Sequence, residues 1–126
     1  MIQLDFNKLR FLIADDNAYM RRIIRTLLHS FGCREVYEAE DGANALEITT
    51  HYAPDIIILD WVMPIFDGLE VTRMIRQPDS PNPYAPIIML TGHSEKHRVT
   101  VARDAIKSRY SCRLTLILRE NPPTPQ

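Results

Sequence analysis

Residues 55–68 read DIIILDWVMPIFDG. Ile56, Ile57, Ile58 and Leu59 are apolar without alternation, and such a run fits a strand covered on both faces of a parallel sheet. It stops at Asp60, so a carboxylate stands at the strand's C-terminal end. A loop containing Pro64 follows, and the Asp67-Gly68 turn signal leads into a helix expected over roughly Leu69–Gln77.

The same grammar recurs on either side. Upstream, LRFLIA at residues 9–14 is a short apolar run that ends on two acids, Asp15 and Asp16. Asn17 is a good N-cap for a first helix, in which Met20, Ile23, Ile24, Leu27, Leu28 and Phe31 recur at helical spacing with Arg21, Arg22 and Arg25 on the other face. A second strand is expected over Glu35–Ala39 and a second helix over Ala43–His51, closed by Tyr52-Ala53-Pro54. Downstream, PDSPNPYAP at 78–86 holds four prolines and is neither helix nor central strand. Ile87–Leu90 is a fourth buried strand that delivers Thr91, and Ser94 caps a helix expected from Glu95 to about Ala105. Strands alternating with helices imply right-handed crossovers and an α/β, doubly wound parallel sheet. The functional sites of such sheets lie beyond the carboxyl ends of the strands. Three of the four strands end there in polar groups: Asp15-Asp16, Asp60 and Thr91.

Composition bounds the remaining choices. The chain has 126 residues, 45% hydrophobic and 25% charged, with a net charge of -1. That fits one globular domain and argues against disorder. No apolar run reaches the roughly 18 residues of a membrane span, and the opening MIQLDFNKLR does not resemble a signal peptide, so a cytoplasmic protein without membrane association is expected. Cys33 and Cys112 are too few and too far apart for a disulfide scaffold or a CxxC metal site. Residues 1–95 hold 8 Lys and Arg against 14 Asp and Glu, while residues 96–126 hold 7 against 2. We read that basic quarter as a solvated face, with no nucleic-acid partner.

Three carboxylates gathered at one sheet rim repel one another, and a hard divalent cation with oxygen ligands relieves the repulsion. The set Asp15, Asp16 and Asp60 therefore suits Mg²⁺, with Asp60 as candidate nucleophile toward phosphorus and Thr91 as a hydroxyl donor to a phosphoryl oxygen. Each residue also has a plain structural reading as a cap or strand end; together they point to chemistry. His93 and His97, with no third ligand nearby, read as surface histidines. Trp61 either covers the site or packs in the core.

FLIADDNAYMRR, EAEDGANAL, PDIIILDWVMPIFDG and PIIMLTGHSE, in that order over residues 9–105, resemble the receiver domain of bacterial two-component response regulators and are similar to the single-domain chemotaxis regulators. The resemblance implies a flavodoxin-like receiver whose core spans residues 1–105, with 106–126 an atypical C-terminal segment of the same domain. It implies Asp60 as phosphoacceptor, and Asp15, Asp16, Asp60 and the backbone carbonyl of Val62 as ligands of Mg²⁺ or Mn²⁺. Thr91 becomes the switch hydroxyl. Phosphoryl transfer from a sensor histidine kinase or phosphotransfer protein, with output through a protein contact, is the implied function; the domain is a phosphoacceptor rather than an enzyme.

The end of the chain departs from that pattern. Where the family continues to a fifth strand ending in Lys-Pro and a fifth helix, this chain reads IKSRYSCRLTLILRENPPTPQ. Ungapped counting from Thr91 puts Arg113 at the lysine position and Tyr110 at that of the aromatic switch residue. Three accounts fit the tail: CRLTLIL as a substitute fifth strand, a deletion that joins the final helix, with Tyr110, Leu114, Ile117 and Leu118 at helical spacing, to the fourth, or an altered reading frame. Deletion would leave the fourth strand as a bare edge and favour a homodimer. The missing lysine keeps a second reading open, a pseudo-receiver that binds partners without stable phosphorylation. A haloacid-dehalogenase-type phosphohydrolase wants a second acid two residues after the nucleophile, where this chain has Val62.

Overall fold

The computed structural model describes residues 5–92 and 114–119, the latter and residues 91–92 through their backbone. A 3-10 turn at Phe6–Lys8 precedes β1 (Arg10–Ala14), α1 (Ala18–Ser30), β2 (Glu35–Ala39), α2 (Gly42–Tyr52), β3 (Ile56–Asp60), α3 (Gly68–Ile75), β4 (Ile87–Gly92) and β5 (Leu114–Arg119). The five strands form one sheet in the order β2-β1-β3-β4-β5, and every neighbouring pair is parallel. Two strands run slightly beyond expectation: β3 includes Asp60, and β4 includes Thr91.

Alternation along the strands sorts the core into two layers. Leu12, Ala14, Ile57, Leu59 and Ile87 pack on one face with Ala45 of α2 and with Val71 and Ile75 of α3. Phe11, Ile13 and Ile58 pack on the other with Leu28 of α1 and Cys33. Helices thus lie on both faces, as a doubly wound sheet requires. Leu12, Ile13, Ile57, Leu59 and Ile87 are fully buried, each worth roughly 1.5–3 kcal/mol relative to exposure.

The helix starts were legible. Asn17 Oδ1 accepts from the backbone N–H groups of Tyr19 and Met20. Asp41 Oδ1 caps α2 by accepting from Asn44 N–H, and Asp67 and Glu70 form a reciprocal capping box on α3. The buried face of α1 is narrower than its apolar stripe. Only Leu28 of its apolar stripe is buried, while Tyr19, Ile23, Leu27 and Phe31, four residues apart, are exposed. Burial pushes the Cys33 thiol upward, in keeping with an idle core cysteine.

For the tail, the structure corrects the account in which the fifth strand is deleted and the final helix joins the fourth. Residues 114–119 are a strand, not a continuation of helix, and they pair in parallel with β4 from Ile87↔Leu114 to Gly92↔Arg119. LTLIL satisfies helical and strand periods alike, and the unpaired backbone of β4 decides between them. The bare β4 edge that argued for dimerisation is therefore occupied. Arg113, Tyr110, His93, His97 and the helix expected at 95–105 lie outside the described residues. Among the described residues, no helix is long and apolar enough to cross a membrane.

Candidate functional site

The ends of β1 and β3 meet at the C-terminal rim of the sheet. Asp60 is the last residue of β3, and Asp15 directly follows β1, its N–H donating to the Ala39 carbonyl at 3.1 Å. Both are buried, whereas Asp16 is exposed. One carboxylate oxygen from each of the three lies within 4.8 Å of the others. Opposite ligands of a Mg²⁺ ion stand about 4 Å apart at its usual 2.0–2.1 Å bond lengths. The spacing of the acidic set suits a small divalent cation, with Asp16 on the solvent side. This is the one such group among the described residues.

Several backbone contacts hold these acids in place. Asn17 N–H donates to Asp15 Oδ1 at 2.9 Å. Arg21 Nη1 donates to the Asp15 carbonyl at 2.6 Å. Past Asp60, Trp61 N–H donates to the Leu90 carbonyl at 2.9 Å, and Gly68 N–H to the Trp61 carbonyl at 2.7 Å. Trp61 is itself buried, so it packs rather than gates. Val62, whose carbonyl the family resemblance implies as a metal contact, has an exposed side chain on the same loop.

Thr91 falls where expected, one residue beyond Leu90, which pairs with Asp60. Its neighbour across β5 is Leu118, and Arg119 closes the strand beside Gly92 at the same rim. The basic residue that ends β5 is thus Arg119, six positions after Arg113.

The loop from Trp61 to Asp67 is shaped by two close approaches that composition alone did not reveal. Gly42 N–H donates to the Pro64 carbonyl at 3.2 Å, and a Cβ at Gly42 would stand 2.1 Å from the Phe66 carbonyl oxygen. A Cβ at Gly68 would stand 2.7 Å from the Asp60 carbonyl oxygen. Asp67-Gly68 reads in the sequence as a turn signal; the constraint on Gly42 and Gly68 alike is room for this loop.

Ile65 adopts φ +72° while 67% exposed. That backbone is costly for a β-branched residue, which gains little packing here in return. Ile65→Asn is expected to raise stability by about 0.5–1 kcal/mol, because Asn tolerates the left-handed region. A lower denaturation midpoint in urea would contradict that strain.

A family model described as response regulator receiver domain matches residues 11–110. The chemotaxis protein CheY of Pseudomonas aeruginosa is 33% identical over 97 residues, 77% of each chain. CheY-3 of Vibrio cholerae is 32% identical over 97 residues, 77% of this chain and 74% of that one. Among solved structures, the REC domain of AraT, a response regulator from Geobacillus stearothermophilus, is 34% identical with a TM-score of 0.68, covering 88% of this chain and 81% of that one.

Proposed function

Because the chain belongs to the response regulator receiver family, we propose that it accepts a phosphoryl group on Asp60 from a histidine kinase or a phosphotransfer protein, with Mg²⁺, and signals through a protein contact. The observation that carries this reading is the convergence of the Asp15, Asp16 and Asp60 carboxylates within 4.8 Å at the rim of the sheet.

Asp60 supplies the nucleophile. One of its carboxylate oxygens forms a bond to phosphorus as the bond from phosphorus to the donor's nitrogen or acyl oxygen breaks, and the departing group keeps that electron pair. Asp15, Asp16, Asp60 and the Val62 carbonyl hold the cation, which when bound offsets charge on the transferring oxygens. Asp15 is fixed from two sides, by Asn17 and Arg21, so the ligand set is ordered in advance. Thr91, one step past the row of Asp60, supplies the hydroxyl that follows the phosphoryl group. We take residues 1–105 as the core of the domain and 106–126 as its divergent segment.

Incubation with acetyl phosphate is the direct test. A single phosphoryl adduct by intact mass is expected with Mg²⁺ and none when the metal is chelated. A folded protein that takes no adduct under either condition would point instead to a binding module without phosphoryl chemistry.

A further inference from the structure

Arg21 lies on α1, outside the acidic set, yet its side chain bonds the backbone of that set. Its Nη1 donates to the Asp15 carbonyl at 2.6 Å, while its Nε bonds Glu38 Oε1 of β2 at 3.2 Å. The other oxygen of Glu38 accepts from Arg25 Nη1 at 2.7 Å. Arg21 is largely shielded, with its side chain 15% exposed against 48% for Arg25. The planar fork of one guanidinium therefore spans from α1 to both the β1–α1 loop and β2.

We infer that Arg21 is a positioning residue for the divalent cation, clamping the Asp15-Asp16 turn through the Asp15 carbonyl with Glu38 as its anchor. This rests on the receiver reading of the acidic set and goes beyond it by assigning metal affinity to a residue that is not a ligand. Groups that orient ligating carboxylates typically govern affinity by roughly 10- to 100-fold.

The inference has a sign that simple electrostatics opposes. Removing a cation beside three carboxylates makes the site more attractive to Mg²⁺, so a bystander Arg21, once removed, leaves binding tighter. A clamp, once removed, leaves it weaker. Arg21→Lys separates the two further: it keeps the charge, but one ammonium on a flexible stem cannot bridge the Asp15 carbonyl and Glu38 as the fork does.

Calorimetric titration of the full chain with Mg²⁺ tests this on wild type, Arg21→Met, Arg21→Lys and Arg22→Met, the last removing an exposed charge from the same helix. Expected are a dissociation constant about tenfold weaker for Arg21→Met, an intermediate loss for Arg21→Lys, and no weakening for Arg22→Met. Adduct formation from acetyl phosphate should approach the wild-type rate once Mg²⁺ is saturating, a recovery that general damage to the fold would not show. Arg21→Lys binding as wild type, or Arg21→Met binding tighter, overturns the inference. Should Arg21→Met not fold, the charge-conserving variant decides alone. A wild type that binds no Mg²⁺ would remove the receiver reading and the clamp together, an outcome distinct from a normal wild type with unaffected variants.

Discussion

Asp60→Asn is expected to take no phosphoryl adduct under conditions in which the wild type takes one. The amide is nearly isosteric with the carboxylate but lacks its anionic nucleophile, so the loss is chemical and should be complete within detection. The same substitution should not harm the fold. Asp60 is buried and its carboxylate is crowded by those of Asp15 and Asp16. Like charges held this close repel one another. Without Mg²⁺ the variant should therefore melt above the wild type. With Mg²⁺ the order should narrow or reverse, because the wild type gains binding energy that the variant largely forfeits. An adduct retained on Asp60→Asn would move the acceptor elsewhere, and a lower melting point without metal would mean that the crowding is already relieved within the chain.

Among Gly32, Gly42 and Gly68, Gly42→Ala should be the most damaging substitution. The new Cβ would stand 2.1 Å from the Phe66 carbonyl oxygen and 2.6 Å from the Phe66 Cβ, and the first of these is backbone, which cannot swing aside. Alanine is the better helix former by about 1 kcal/mol, and Gly42 is the first residue of α2, so a small clash would be hidden. This one should not be, because forced repacking costs about 1–3 kcal/mol even where side chains yield. A net loss of roughly 3 kcal/mol is expected, read as a lower midpoint in urea with an unchanged slope. Part of the displacement must fall on the loop from Trp61 to Asp67, so Mg²⁺-dependent adduct formation should also slow. Gly68→Ala, against the Asp60 carbonyl at 2.7 Å, should show the milder stability loss and the clearer loss of chemistry. A Gly42→Ala protein as stable as wild type would show that α2 and the loop do not meet this closely.

Some of this was written plainly in the residues. Unbroken apolar runs that stop at Asp15-Asp16, Asp60 and Thr91 announce buried parallel strands and place those groups at one rim, because a parallel sheet hides both faces and leaves the strand ends as the outlets. Asn17 as a cap and the prolines at 78–86 as a break needed no partner in space, since capping and proline geometry act within a few residues of chain. The family likeness added the Val62 carbonyl to the acidic set as an expected ligand, from motifs that are local in sequence.

What only the tertiary structure decided were the matters in which distant segments compete for one place. Residues 114–118 suit helix and strand periods equally, and the open edge of β4 resolved them as a strand; an unpaired row of backbone donors and acceptors is a property of the sheet, not of the segment that completes it. Arg21 read as one of three arginines on a solvent face, until folding set Glu38 and the Asp15 carbonyl within its reach. The apolar residues of α1 promised one buried face, yet the sheet covers only the side that carries Leu28 and leaves Tyr19, Ile23, Leu27 and Phe31 exposed. Periodicity tells which residues share a side of a helix, and only the neighbours in space tell which side is covered.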